Sequence, residues 1–180
     1  YMNKDKTKAI RADVVGSMLR PRSLLDMQEK VKRGKASLSD LTREEDLAVK
    51  NAVAIQERVG MDIVTDGEMR RPVFCHNFVK AMDGFAWNIP GNSVIWFDMN
   101  GKKMLDPVTV GVVKPIKKIH DISVDEFSFL RAVTDKPKKV TIPSPTMMSY
   151  YFVPGISDKV YASPIRFLTM VTKHLKNAVK

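Results

Sequence analysis

Short apolar stretches alternate along this chain with amphipathic helical segments, and this alternation constrains the fold more than any other feature of the sequence. It is typical of βα units, which place their strands in a parallel sheet. Three predicted strands cover 12–15, 61–65 and 139–142, and each ends in a polar or glycine-containing turn. We therefore expect an α/β fold in which the three strand ends share one rim.

Apolar residues at three- and four-residue spacing predict helices after the first two strands. The first helix is expected to run from about Pro21 to Gly34. The second is expected to start at a capping box formed by Thr42 and Glu45 and to end at Gly60. Its predicted buried face consists of Leu47, Ala48, Ala52, Ile55 and Val59.

Further along the chain, turn and cap signals predict three more elements. Asn100-Gly101 between apolar residues indicates a β-hairpin, within a long excursion over about 78–116 that includes an extended piece from Val108. Ser123 with Glu126 predicts a second capping box. Ser163-Pro164 predicts the start of the last helix.

The length of the chain limits how much of a barrel it can form. Three βα units in 180 residues fall short of a closed (β/α)₈ barrel, which takes roughly 250 residues. We expect a single domain over 1–180. Its predicted fold is α/β, a partial (β/α)₈ TIM barrel comprising the N-terminal half, with a β-hairpin insertion after strand two.

Composition excludes several classes of protein. The net charge is +10, but the lysines are scattered and aromatic residues do not interleave with them, so we expect no nucleic-acid partner. No apolar run approaches the ~20 residues of a membrane span, and without a charged-then-apolar opening stretch we expect no secretory signal. A single cysteine, Cys75, excludes an internal disulfide and fits a cytoplasmic protein. Cys75 and His76 are adjacent and offer no metal-ligand spacing.

Polar residues at the three strand ends are the candidate site. The Gly16-Ser17 turn offers backbone N–H groups and a hydroxyl, which suit a substrate carboxylate. Glu68, at the next strand end, suits a substrate ammonium, so the two together could hold the two ends of an amino acid. Taken singly, Ser17 could be a helix N-cap, Glu68 an exposed carboxylate paired with Arg70 or Arg71, and Ser144 a turn residue between prolines.

Three segments carry a resemblance to a known family. They are Ala12-Asp13-Val14-Val15-Gly16-Ser17, the stretch 62–71 with Asp66-Gly67-Glu68-Met69-Arg70-Arg71, and Met82-Asp83-Gly84-Phe85. They resemble the cobalamin-independent methionine synthase family, most closely its shorter, single-barrel relatives. The similarity covers about Ile10 to Pro145.

The resemblance implies a (β/α)₈ barrel that moves a methyl group from a methyltetrahydrofolate-type donor to the thiol of homocysteine. In the family, zinc binds that thiol. The resemblance also implies that Gly16, Ser17 and Glu68 bind the amino acid. Residues that could support this site or contact the methyl donor are Asp66, Arg71, Lys114, Ser144, Tyr150 and Tyr151.

This chain differs from the family pattern at two places. The family's zinc ligands lie in the second half of the barrel, and none matches a residue here, so we expect the chain alone to hold no zinc. Gly111-Val112 stand where the long enzymes carry an Arg-Cys pair that contacts the folate. The alternatives are a relative of uroporphyrinogen decarboxylase, a methylcobalamin–thiol methyltransferase, and a non-catalytic barrel fragment. A half barrel would also expose strand edges, which predicts self-association.

Overall fold

A computed structural model describes residues 11–89, 93–107 and 110–179. Contacts divide the chain into two compact units, which are described separately. The first unit comprises Tyr1–Pro72 with Ser123–Thr141, and the second comprises Val73–Ile122 with Ile142–Lys180. The expected single domain over the whole chain stays a prediction.

The first unit contains helices α1 (Arg22–Lys32), α2 (Leu38–Arg58) and α4 (Val124–Val133). Two single parallel bridges pair segments near its three predicted strands, one between Asp13 and Ile63 and one between Val64 and Lys138, the residue just before the predicted third strand. The second predicted strand therefore lies between the other two. The order and the parallel direction agree with the prediction, although each pairing is much shorter than the strands that we predicted.

The parallel ladder is short because side chains take up backbone groups that would extend it. The amide of Ala12 donates to the Asp62 carboxylate at 2.7 Å. Beyond Val64, the amide of Thr65 donates to Gln56 Oε1 at 2.9 Å, and Gln56 Nε2 donates back to the Thr65 carbonyl at 2.9 Å. Gln56 is fully buried, so α2 fixes the end of the second strand by these two bonds.

Helix α2 begins earlier than predicted. Ser37 is the N-cap, and its hydroxyl accepts from the Asp40 amide while the Asp40 carboxylate accepts from the Ser37 amide. The capping box predicted at Thr42 and Glu45 is therefore wrong. Thr42 lies inside the helix and donates its hydroxyl to the Leu38 carbonyl at 3.0 Å.

The buried face of α2 also differs from the predicted face. Ala48 and Ala52 are buried as expected, but Leu47, Ile55 and Val59 are exposed. The buried set, with one polar member, is Ala48, Val49, Ala52, Val53 and Gln56. The helix is rotated relative to the predicted orientation because it presents Gln56 to the Thr65 backbone. The apolar core of this unit is completed by Leu24, Val64, Met69 and Leu130.

The second unit contains the antiparallel strands of the fold. Strand β1 (Met82–Ala86) pairs with β4 (Gly111–Lys118), and β2 (Ser93–Phe97) pairs with β3 (Lys103–Pro107). The β2–β3 pair turns at the predicted Asn100-Gly101 hairpin. Val108 and Thr109, the start of the predicted extended piece, lie outside the described residues.

Helices cover the rest of the second unit. They are α3 (His76–Ala81), two 3₁₀ segments at Pro145–Tyr151 and Ser157–Lys159, and α5 (Pro164–Ala178). The predicted start of α5 is confirmed, since the Ser163 hydroxyl accepts from the Arg166 amide. The core places Phe85 edge-on against Phe78, Tyr151 and Phe167. Among the described residues, no helix is both long and apolar enough to cross a membrane.

Candidate functional site

The turn that follows the second strand of the first unit holds two consecutive residues in the left-handed conformation. Gly67 has φ +67° and Glu68 has φ +55°, which is unfavourable for a side chain as large as glutamate. The two preceding side chains stabilise this turn. Thr65 Oγ1 accepts from the Gly67 amide and Asp66 Oδ1 from the Glu68 amide, both at 3.0 Å. A strained residue held by specific contacts is common at functional sites.

The end of the first strand packs directly on this turn. The Met18 amide donates to the Gly67 carbonyl at 3.0 Å, and Thr65 Oγ1 donates to the Gly16 carbonyl at 3.0 Å. Arg20 donates from Nη2 to the Glu68 carbonyl at 3.2 Å and also to the carbonyl of Arg71. Met18 and Arg20 therefore both donate hydrogen bonds to backbone carbonyls of this turn.

Glu68 is only 4% exposed, and its carboxylate is surrounded by donors. The Ser17 hydroxyl donates to Oε2 and the Thr141 hydroxyl donates to Oε1. Arg71 Nη1 lies 3.5 Å from Oε1. The predicted adjacency of Ser17 and Glu68 is present, and the alternative of an exposed carboxylate at Glu68 is wrong because the side chain is buried. Ser17 itself remains exposed.

Arg71 is 2% exposed, and its guanidinium lies next to the Glu68 carboxylate. Its guanidinium donates from Nε to Glu126 Oε1 at 2.8 Å and from Nη2 to Glu126 Oε2 at 2.5 Å. It also donates to the Thr141 hydroxyl at 2.8 Å and to the Thr141 carbonyl at 3.0 Å. Burial acts to lower the pKa of Arg71, but hydrogen bonding and the charge of Glu126 outweigh it and raise the pKa. Arg71 is therefore a fixed cation.

The capping box predicted at Ser123 and Glu126 does not form. Helix α4 begins at Val124 as expected, but Ser123 has φ +60° and makes no side-chain cap bond. Its hydroxyl instead accepts from Arg71 Nη2 at 3.3 Å. Ser123 and Glu126 therefore both accept hydrogen bonds from Arg71, because a buried guanidinium requires acceptors for its donors.

Asp66 is a buried carboxyl group beside this cluster. Oδ1 accepts from the Glu68 amide, whereas Oδ2 has no hydrogen-bond partner. Burial raises the pKa of Asp66, the Glu68 amide opposes this, and the nearby charge of Glu126 adds to the rise. The folded protein therefore favours the protonated form of Asp66 more strongly than the unfolded chain does.

We expect Asp66→Asn to stabilise the protein at neutral pH. Because the folded pKa of Asp66 is raised, its contribution to stability is present below the unfolded value of 3.8 and is lost as pH rises through the folded pKa. Asp66→Asn does not lose stability in this way, so its greater stability over the wild-type protein should shrink as pH falls towards 4. Urea unfolding from pH 4 to 8 measures it, with exposed Asp125→Asn as the control. A stability difference that does not change with pH would contradict the assignment.

Four other candidate residues belong to the second unit. Lys114 is exposed on β4. Ser144 caps the first 3₁₀ segment by accepting from the Met147 amide, and it lines an open cavity of about 350 Å³ together with Thr172 and Leu175 of α5. Tyr151 is buried with its hydroxyl 2.8 Å from Cys75 Sγ, and burial raises its pKa. Tyr150 is 42% exposed, which makes it the more accessible aromatic ring of the pair.

Zinc is implied by the family resemblance, and the residues described do not fit it. Within 11–89, 93–107 and 110–179, no three side chains of His, Cys, Asp or Glu come together as a metal site. Cys75 is buried against Tyr151. His76 stacks edge-on against Trp87, and burial, with the charge of Lys80, lowers its pKa. No step of a reaction is therefore assigned to a metal held by these residues.

Sequence reasoning missed four residues of the cluster in the first unit. Thr141 lies in the predicted third strand, so its position at that strand end was an available signal. Ser123 and Glu126 were assigned to a helix cap, and Arg20 carried no signal in the sequence. All four are connected to Glu68 or Arg71 across 48–73 residues of sequence, a separation that local patterns do not report.

Comparison with known proteins gives consistent matches over most of the chain. A methionine synthase from Sulfurisphaera tokodaii is 32% identical over 78% of this chain and 40% of its own length. A 5-methyltetrahydropteroyltriglutamate–homocysteine methyltransferase from Trichodesmium erythraeum is 21% identical over 99% of this chain and 23% of its own length. This chain thus spans less than half the length of these relatives.

A solved structure shows the same fold. The B12-independent methionine synthase from Shewanella sp. W3-18-1, determined in complex with selenomethionine, superposes with a TM-score of 0.70 at 20% identity, covering 94% of this chain and 47% of that one. The family model for the catalytic domain of cobalamin-independent synthase matches residues 11–159. The chain therefore belongs to the cobalamin-independent synthase family, as the motifs around Gly16-Ser17 and Asp66-Gly67-Glu68 indicate.

Proposed function

We propose that this chain carries the amino-acid-binding part of a methyltransferase that methylates the thiol of homocysteine. The observation that carries the proposal is the hydrogen bond from the Ser17 hydroxyl to the Glu68 carboxylate, which joins the ends of two predicted strands. In this proposal Glu68 binds the substrate ammonium, and the Gly16-Ser17 turn binds the substrate carboxylate. The names of the relatives, and the selenomethionine bound to the Shewanella enzyme, support an amino acid of this class.

The geometry of the cluster suits this role. The Glu68 side chain lies beside two hydroxyl donors and one guanidinium, and a carboxylate offers about four lone-pair sites. A substrate ammonium can take a remaining site on Oε2, on the side where exposed Ser17 lies. Charge-assisted bonds of this kind are roughly twice as strong as neutral ones, so the contact favours an amino acid over an uncharged analogue.

The remaining parts of the proposal extend the family resemblance. The three parallel segments of the first unit would be the first strands of a (β/α)₈ barrel, with β2–β3 as a hairpin insertion after strand two. Tyr150, the more accessible tyrosine of its pair, would be the candidate ring for stacking on a methyltetrahydrofolate-type donor.

Titration of the chain with L-methionine tests the amino-acid site without requiring zinc or a methyl donor. We expect L-methionine to bind at least about tenfold more tightly than 4-(methylthio)butanoate, which lacks the ammonium group. L-Methionine methyl ester, which lacks the carboxylate, should also bind more weakly. Isothermal titration calorimetry measures all three, and equal affinities for L-methionine and the des-amino compound would refute the proposal.

Gly16→Ala tests whether the close approach of the first strand end sets the position of Glu68. A Cβ at residue 16 would lie 2.7 Å from Glu68 Oε1 and 2.7 Å from Thr141 Cγ2. We expect the variant to lose about 1–3 kcal/mol of stability and to bind L-methionine at least about tenfold more weakly.

Gly111→Ala is the matched control, because its Cβ would lie 2.8 Å from Val153 Cγ2 and touches no residue of the cluster. It should lose similar stability while the affinity for L-methionine is retained. If the two variants weakened binding equally, the contact between Gly16 and Glu68 would have no specific part in the site.

A further inference from the structure

Glu126 is connected to Glu68 through a single buried cation. Both oxygens of Glu126 accept from Arg71, at 2.8 and 2.5 Å, whereas the nearest oxygen of Glu68 lies 3.5 Å from the same guanidinium. Arg71 therefore lies between two carboxylates and is bound more closely by the one on α4. The charge of Arg71 is neutralised mainly by Glu126.

The Thr141 hydroxyl bridges Arg71 and Glu68. It accepts from Arg71 Nη1 at 2.8 Å and donates its own proton to Glu68 Oε1. Because the hydroxyl has one proton, accepting from Arg71 orients it towards Glu68, and the two bonds strengthen each other. Glu68 is thereby held in one rotamer mostly by neutral donors, Ser17 and Thr141.

Counting charges shows what Glu126 contributes. Glu126, Arg71 and Glu68 together carry one excess negative charge, and because Arg71 lies closer to Glu126, most of that excess lies on Glu68. We propose that Glu126 is a positioning residue for the amino-acid site, and that by engaging Arg71 it keeps the negative charge of Glu68 available to a substrate ammonium. This inference rests on the proposed function. Glu126 acts through Arg71 and contacts no substrate itself.

The inference predicts a selective loss of binding in Glu126→Gln. The amide keeps the size of the side chain but no longer neutralises Arg71, so the guanidinium pairs with Glu68 and repels the ammonium. Affinity for L-methionine should fall at least about tenfold, while affinity for 4-(methylthio)butanoate should change by less than about threefold. The ratio of the two affinities is the measurement, because a general loss of structure would lower both.

Two further variants separate charge from packing. Arg71→Gln with Glu126→Gln removes both charges and leaves the negative charge on Glu68, so the preference for L-methionine should return. This pair removes both members of the Arg71–Glu126 ion pair together and leaves no buried guanidinium without its main carboxylate partner, which makes it the arm to use if Glu126→Gln does not fold. Asp125→Asn makes the same charge change as Glu126→Gln at an exposed neighbour in the first turn of α4 and should leave the preference unchanged.

Calorimetric titration of these proteins with the two ligands decides between the outcomes. The inference is supported if Glu126→Gln lowers the ratio of the affinities for L-methionine and 4-(methylthio)butanoate tenfold and the double variant restores that ratio. An unchanged ratio, an equal loss for both ligands, or a double variant without the preference overturns it and leaves the proposed function standing. If the wild-type chain shows no preference for the ligand with the ammonium, the proposed function fails, and this inference fails with it.

Discussion

Glu68→Gln should weaken binding of L-methionine by roughly ten- to a hundredfold. The amide keeps the shape and reach of the side chain but removes the charge, and a charge-assisted hydrogen bond is worth about 1.5–3 kcal/mol. The variant retains a carbonyl oxygen that can accept from Ser17 or Thr141, so the turn should stay folded. Isothermal titration with L-methionine measures the loss, and urea unfolding checks the fold.

Glu29→Gln is the control for this substitution. Glu29 lies on α1 in an exposed ion pair with Arg33, and exposed pairs contribute only about 0–1 kcal/mol. It should change neither affinity nor stability appreciably. If Glu68→Gln bound L-methionine as tightly as the wild-type chain does, Glu68 would have to be removed from the proposed site and regarded as an acceptor that stabilises the turn.

Arg71→Met should cause the largest loss of stability among single changes in the first unit. It removes the cation that pairs with the partly buried carboxylate of Glu126 and lies 3.5 Å from the buried carboxylate of Glu68. Breaking a buried ion pair from one side costs about 3–5 kcal/mol. Since small proteins have only about 5–15 kcal/mol in total, we expect a strongly lowered urea midpoint.

Arg33→Met provides the comparison, because Arg33 is exposed and pairs only across one turn of helix with Glu29. It should cost less than about 1 kcal/mol. Both variants lose one positive charge and gain the same side chain, so the difference between their stabilities reports the buried environment of Arg71 and its hydrogen-bond partners there. Equal stabilities would mean that Arg71 is hydrated in solution, which would contradict its position next to Glu68.

Parts of the fold that depend on local patterns were predictable. Helices α1 and α5 begin close to where Pro21 and Ser163-Pro164 predict, because caps and proline act within one turn. The hairpin at Asn100-Gly101 has the same local origin. The predicted parallel direction of these segments also holds, since strands that follow one another in βα units usually lie side by side in the sheet.

Predictions failed where a side chain forms hydrogen bonds to a residue outside its own helix. Helix α2 buries Gln56 to bind the Thr65 backbone, which turns Leu47, Ile55 and Val59 outwards. Ser123 and Glu126 match a capping box in sequence, yet they bind Arg71 instead. In each case a buried polar group needed a partner, and the free energy of leaving it unpaired exceeds that of a local cap or stripe.

The sequence and the tertiary structure each determine a different part of the candidate site. The sequence by itself determined that Gly16, Ser17 and Glu68 follow successive strands, and the parallel direction of those strands is enough to bring them to one rim. Only the tertiary structure decided that Glu68 is buried, that Thr141 and Arg71 contact it, and that Glu126 neutralises Arg71. These contacts join residues up to 73 positions apart, and they form because a buried charge has to find its partners wherever the fold supplies them.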